Sequence, residues 1–191
     1  QQLKQQLEAS GGESRTLNRT QMHEVLTKAH VSTNDLLRRD KTIDDSLSGT
    51  TAISVYFHGN NNNRMTVSNV GDSRAVLGQS EISESARVSL KALPLSRDQT
   101  PYRKDEKARI RRTGARVLSL DQLEGLEPIE QSEHGDVDEF VLGDQLDEGG
   151  DPPRVWHPDN DYPGTAFTRS IGDSVAEELG VYAVPELLNY D

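Results

Sequence analysis

The sequence predicts an α+β domain, and three observations predict it: a helical apolar stripe near the N-terminus, short β-branched segments separated by Gly- and Asn-rich turns in the middle, and mixed helix and loop beyond them. Met22, Val25, Leu26 and Ala29 recur at i, i+3, i+4 and i+7, the spacing by which a helix buries one stripe, and Leu36 and Leu37 continue it. Thr51 to Phe57 is β-branched and aromatic and runs into His58-Gly59-Asn60-Asn61-Asn62-Asn63, where Gly and Asn tolerate the positive φ of a turn. Met65 to Val70 and Arg74 to Leu77 flank Gly71-Asp72-Ser73 as a short hairpin would, and Arg87 to Leu93 alternates again, so the middle reads as an antiparallel meander. Thr100 can cap and Pro101 can open a helix with apolar spots at Ala108 and Ile110, and Gly114 suits its end before Val117-Leu118. Ala166 to Leu179 mixes loop and helix, and Val181 to Val184 reads as a further strand.

The 191 residues give room for about one domain. Leu, Ile, Val and Phe supply 43 of them, just above the roughly 20% below which highly charged chains stay disordered, so a core forms but does not extend through every segment. There is no cysteine, which excludes a disulfide framework and thiolate metal sites and fits a cytoplasmic or nuclear setting. No apolar run approaches the ~18 residues of a membrane span, and the strand-sized Thr50 to Phe57 is among the longest. The first residues, Gln1 to Leu7, lack a starting Met and an apolar signal core, and read as a cut through a longer chain.

The net charge of −11 is concentrated in one place. Asp121 to Asp151 holds 12 acidic residues and no Lys or Arg, which leaves 20 acidic against 21 basic residues elsewhere. With five Gly and three Pro between Gly125 and Pro153, this stretch reads as a solvated loop inserted in a near-neutral domain. Few aromatics and no basic excess argue against a dedicated nucleic-acid binder.

Three constellations could carry chemistry. In Asn69-Val70-Gly71-Asp72-Ser73-Arg74 a carboxylate follows a turning Gly at a strand end, which suits a ligand of a hard cation and equally an ordinary hairpin turn. Leu95 to Pro101 leads into Arg103, Lys104, Glu106, Lys107, Arg109, Arg111 and Arg112, a basic helix that could hold a phosphorylated partner or form a solvated face. Pro163 to Asp173 combines small residues with a buriable Arg169/Asp173 pair and reads, taken alone, as a tightly packed turn.

Taken in order, Ser48-Gly49-Thr50-Thr51-Ala52, Asn69-Val70-Gly71-Asp72-Ser73-Arg74-Ala75, Leu95-Ser96-Arg97-Asp98, Glu106 to Arg116, Arg169-Ser170-Ile171-Gly172-Asp173 and Val184-Pro185-Glu186 resemble the PP2C-type (PPM) metal-dependent Ser/Thr protein phosphatases. The resemblance places an N-terminal extension at 1–16 and a partial phosphatase domain at 17–191, with 121–162 as an acidic insert where the family has a flap beside its active site. Gly150 to Trp156, Tyr162 to Arg169 and Asp98 to Pro101 are most similar to large proteins that join such a domain to cyclic-nucleotide-binding and kinase domains, which implies those domains in the same parent chain.

The resemblance implies an antiparallel β-sandwich flanked by helices (αββα), incomplete here at both ends, and two or more Mg²⁺ or Mn²⁺ ions that activate a water for attack on phosphoserine or phosphothreonine of a protein substrate. Asp72 falls on the position associated with an additional, weaker metal. Ser73, Arg74, Asp98, Arg169 and Asp173 fall near the site as structural support. Glu124, Glu127, Glu130 and Glu133 fall in the flap, where they would favour phosphopeptides flanked by Lys or Arg. The pattern is also broken. The family's early Asp-Gly-His-Gly segment would precede Leu17 and its late Asp-Gly and Asp-Asn segments would follow Glu186, yet no Asp-Gly pair occurs in the chain. The upstream Arg that clamps phosphate in relatives is missing as well. The expectation is a chain with no catalytic residue of its own, inactive alone but part of a phosphatase; a regulatory module that keeps the fold as a pseudophosphatase is the alternative. Gln99 stands where the family usually has His after Asp98; it keeps hydrogen-bonding capacity but cannot titrate, which removes the expectation of an acid role there.

Overall fold

The computed structural model describes residues 17–82, 88–129 and 151–190. Helix α1 (Arg19–Arg39) begins with a capping box in which the Gln21 N–H donates to Asn18 Oδ1 at 2.9 Å and the Asn18 N–H donates to Gln21 Oε1 at 3.0 Å. Its buried row is Met22, Leu26, His30 and Asn34, one residue per i+4 step. The expected Val25 and Ala29 are only half-buried and Leu36 is exposed. His30 and Asn34 can be buried because both are hydrogen-bonded: His30 Nδ1 lies 2.9 Å from Leu26 O, and Asn34 Oδ1 accepts from the Gly172 N–H at 2.8 Å.

All strand pairs are antiparallel. After β1 (Gly49–Thr50) come β2 (Ala52–His58) and β3 (Arg64–Val70), which pair with each other, and then β4 (Val76–Ile82) and β5 (Val88–Pro94), which form a separate hairpin. Because β3 and β4 lie in different sheets, Gly71-Asp72-Ser73 is a crossover and not the expected short hairpin turn. A two-residue hairpin of type I′ needs positive φ at both central residues; here Gly71 has φ +95° and Asp72 does not share it.

Helix α2 (Lys104–Arg111) starts three residues after the expected Pro101 and buries Glu106 and Ile110 on one face, while Ala108 is exposed. It leads through β6 (Arg116–Leu118) to the short α3 (Leu120–Leu123). On the far side of the acidic stretch, β7 (Arg154–Trp156) pairs with both β6 and β8 (Pro163–Thr165). Strand β9 (Ile171–Gly172) pairs with β1, and α4 (Ser174–Glu177) follows it.

The last strand is β10 (Glu186–Tyr190), which adds to β3. Val181 to Val184, expected as a strand, is outside the ladders; Val181 and Ala183 are nonetheless buried, Val181 in a core with Ile110, Ala115, Val117, Val155, Ala176 and Leu179. Their alternation reports burial on one side of an extended segment, which strand pairing does not require. No helix among the described residues is long and apolar enough to cross a membrane.

Candidate functional site

The crossover between β3 and β4 is held on three sides. Gly71 has no room for a side chain: a Cβ there would lie 2.3 Å from Thr51 Cγ2. Both backbone groups of Gly71 bond to Gln99, its N–H donating to Gln99 Oε1 at 2.6 Å and its C=O accepting from the Gln99 N–H at 3.1 Å. The Gln99 amide also donates to Asn69 O at 3.1 Å, and the residue is fully buried. Beyond Asp72, Ser73 Oγ meets Thr51 Oγ1 at 2.7 Å. Arg74 forms a two-bond fork with Asp98, Nε to Oδ1 at 2.9 Å and Nη2 to Oδ2 at 2.8 Å. That contact holds the Arg74 guanidinium above its usual pKa, and it keeps Arg74 from serving as a free phosphate clamp. The carboxylate of Asp72 is thus exposed on a fastened backbone.

The remaining residues picked from the sequence divide into two places. Arg169 belongs to a buried ion cluster centred on Glu106: Arg169 Nη2 donates to Glu106 Oε1 at 2.6 Å, and Arg109 Nη2 to Oε2 at 2.5 Å. Thr168 Oγ1 donates to the same Oε2 at 2.6 Å. Burial pushes the Glu106 carboxyl up, but the two guanidiniums outweigh it and bring it down to about 2. Arg109 and Arg169 also lie over the Tyr182 ring, at 4.0 and 5.4 Å respectively. The cluster adjoins the crossover segment because the Thr168 N–H donates to Gln99 O at 2.8 Å. Asp173 lies instead beside the β1–β9 pair, in left-handed backbone at φ 50°, accepting from Ser170 Oγ at 2.6 Å. A Cβ on Gly49 would fall 2.1 Å from its Oδ2, so this carboxylate fills the space that Gly49 leaves.

Neither reading of the basic helix stands for its buried members. Arg103 is almost fully buried and bonds Glu186 through Nη1 at 2.9 Å and Nη2 at 3.0 Å, with Asp105 on its other edge, so it ties α2 to β10. With Arg109 held by Glu106, these two arginines are internal partners and offer no surface for a phosphorylated partner. The i,i+3 spacing of Glu106 and Arg109 is the signal from which their pair could have been found, whereas Arg103 stands in extended backbone before the first turn of α2 and its partner Glu186 had no such signal. Of the flap glutamates, Glu124 and Glu127 are exposed, and Glu130 and Glu133 lie outside the described residues. The neck of that segment is fastened where the Leu120 N–H donates to Asp151 Oδ2 at 2.7 Å and Arg154 pairs with the same carboxylate at 3.2 Å.

Among the described residues no three His, Asp or Glu side chains converge as a metal-binding group. An exposed oxygen ligand on fixed backbone suits a hard divalent cation as one ligand, but such ions take about six oxygens, so Asp72 alone does not make the centre.

The model for the family described as protein phosphatase 2C matches residues 2–190. Probable protein phosphatase 2C 35 of Arabidopsis thaliana is 50% identical over 148 residues, covering 78% of this chain and 38% of the relative. Probable protein phosphatase 2C 73 of the same plant is 34% identical over 151 residues, 79% of this chain and 32% of the relative. The chain therefore spans under two-fifths of the length of these curated relatives. The crystal structure of serine-threonine phosphatase 2C from Toxoplasma gondii superposes with a TM-score of 0.63 at 15% identity, over 96% of this chain and 52% of that one. A C. elegans sex determining protein superposes with a TM-score of 0.52, also at 15% identity, over 95% of this chain and 32% of that one. Likeness at this identity shows the fold, and it bears out the α+β antiparallel architecture read from the sequence. With a family match along nearly its whole length and a half-identical relative, the chain belongs to the protein phosphatase 2C family.

Proposed function

We propose that the protein carrying this chain is a metal-dependent Ser/Thr protein phosphatase, and that the chain contributes Asp72 to its metal site. The observation that carries the proposal is the exposed Asp72 carboxylate on a crossover tied down by Thr51, Asp98 and Gln99, within a chain of the protein phosphatase 2C family. Mg²⁺ or Mn²⁺ bound in such a site supplies a water of lowered pKa and neutralises charge on the phosphoryl oxygens. Asp72 provides one oxygen ligand, and Asp98 keeps Arg74 in place beside it. The chain by itself is inactive, because among the described residues no three His, Asp or Glu side chains converge to hold the ions.

The acidic stretch, of which Glu124 and Glu127 are exposed, favours phosphorylated protein substrates flanked by Lys or Arg by steering their encounter. Neutralising Glu124, Glu127, Glu130 and Glu133 together is expected to erase the preference for basic over acidic phosphopeptides at low salt; an unchanged preference makes the stretch a spacer. The activity itself is tested by phosphate release from a phosphothreonine peptide with the protein at its full natural length. Release with Mn²⁺ that EDTA abolishes is expected, and a folded protein that releases none refutes the proposal in favour of a pseudophosphatase.

A further inference from the structure

Gln99 stands where a titratable residue is usual in the family, and its place in the structure gives it a different task. We infer that Gln99 is a positioning residue for the metal site: it sets where the Asp72 carboxylate stands by closing the crossover around Gly71. The inference rests on Asp72 being a metal ligand.

Three of its four polar bonds go to the turn itself. The side-chain oxygen accepts from the Gly71 N–H at 2.6 Å, the side-chain amide donates to Asn69 O at 3.1 Å, and the backbone N–H donates to Gly71 O at 3.1 Å. Asn69 Nδ2 closes the same ring by donating to Gly71 O at 3.0 Å. A primary amide offers one acceptor and two donors on a rigid plane, so it bonds a backbone N–H and a C=O two residues apart as a neighbouring strand would. This continues the β3 ladder past its last residue, Val70, up to the peptide that leads into Asp72. The preceding residue, Asp98, fixes the other flank through Arg74. Two consecutive residues thus fasten the segment on either side of Asp72, Gln99 through the backbone of Gly71 and Asp98 through the Arg74 side chain, while the Asp72 carboxylate stays exposed. At zero exposure Gln99 has no contact with solvent or substrate, so its influence on catalysis passes through Asp72.

The test uses the full-length protein with four substitutions and two readouts besides activity: Mn²⁺ affinity of the weakest binding step, and hydrogen exchange of the segment 69–74. Gln99→Met keeps the side-chain length and removes both side-chain bonds. It is expected to speed exchange at 69–74, weaken Mn²⁺ binding about tenfold, and lower kcat with little change in KM. Gln99→His is expected to restore all three at pH 8, where a neutral imidazole carries one donor and one acceptor. Should Gln99→Met not fold, Gln99→Glu keeps the acceptor for Gly71 but loses the donor to Asn69, and the same direction is expected. If Asp72→Asn weakens Mn²⁺ binding while folded Gln99→Met or Gln99→Glu leaves it unchanged, the positioning role is overturned and the Asp72 ligand stands. If Asp72→Asn itself leaves Mn²⁺ binding unchanged, the ligand reading falls, and with it the role of Gln99.

Discussion

Glu106 is a buried carboxylate of α2 shared by two guanidiniums. Its carboxyl, ordinarily near 4.5, is held at about 2 by Arg169 and Arg109 against the cost of burial. A carboxylate whose folded pKa is depressed contributes stability above its unfolded pKa, and that contribution is lost as the pH falls through the interval between the two values. Stability is therefore full above about pH 5 and declines towards pH 2, by about 3 kcal/mol from this group. Thermal unfolding followed from pH 7 to pH 3 checks this: the decline is expected in the native protein and to flatten in Glu106→Gln. That variant also leaves two guanidiniums facing a neutral amide in a buried place, a loss of about 3 kcal/mol or more at pH 7. The i,i+3 spacing of Glu106 and Arg109 signals that one ion pair, but the burial behind both effects was not legible, because Glu106 in a run of Arg and Lys looks like any solvated helix face. Only the tertiary return of Thr168 and Arg169 onto α2 buries it.

At the scale of elements, the crossover makes the sharpest demand. Gly71→Ala puts a Cβ 2.3 Å from Thr51 and forces a side chain into φ +95°, so a loss of about 2 to 4 kcal/mol in unfolding free energy is expected. Asn18→Ala removes only the cap of α1 and is expected to cost about 1 kcal/mol, a control for general softening. Equal losses for the two in denaturant unfolding contradict the account of the crossover.

The element types were largely readable: the stripe of α1, the strands β2, β3 and β5, and Ile110 in α2 follow from spacing that local structure imposes. Partners were not. Gly71-Asp72 has the composition of a hairpin turn, and which sheet each flanking strand joins depends on β10, more than 100 residues later, pairing with β3. Val181 and Ala183 alternate because one side of them is buried, so periodicity alone misplaced the last strand. At the site, Asp72, Ser73, Arg74 and Asp98 were picked through the family resemblance; Arg74 and Asp98 pair with each other and Ser73 bonds Thr51, while for Gln99 the sequence showed a hydrogen-bonding side chain that cannot titrate and not the backbone it would bond.

For the whole molecule, apolar side chains face outward: Phe57 is 65% exposed, Val88 70% and Leu90 76%. Ile53, Val55, Phe57, Met65 and Leu188 lie on one face of the β2–β3–β10 sheet by alternation from the registers; Val55 and Phe57 are exposed there, the other three are half-buried, and Val67 on the same face is buried. Such faces bind non-specifically when left open. The 191 residues alone are expected to self-associate in sedimentation, more so than a Phe57→Ser, Leu90→Ser copy; a monodisperse monomer contradicts this. They are also expected to release no phosphate with Mn²⁺, since among the described residues no three His, Asp or Glu side chains converge to place the ions that the reaction needs.

Asp72 is proposed as a ligand in the metal site of a phosphatase. The most direct measurement of that role is the Mn²⁺ dependence of phosphate release from a phosphothreonine peptide by the full-length protein beside its Asp72→Asn copy. Release that saturates with Mn²⁺ is expected in the native protein, and in the folded copy a half-saturating concentration raised about tenfold or more, with lower turnover. Identical Mn²⁺ curves for the two proteins would contradict it, and Asp72 would be a residue of the crossover and nothing more.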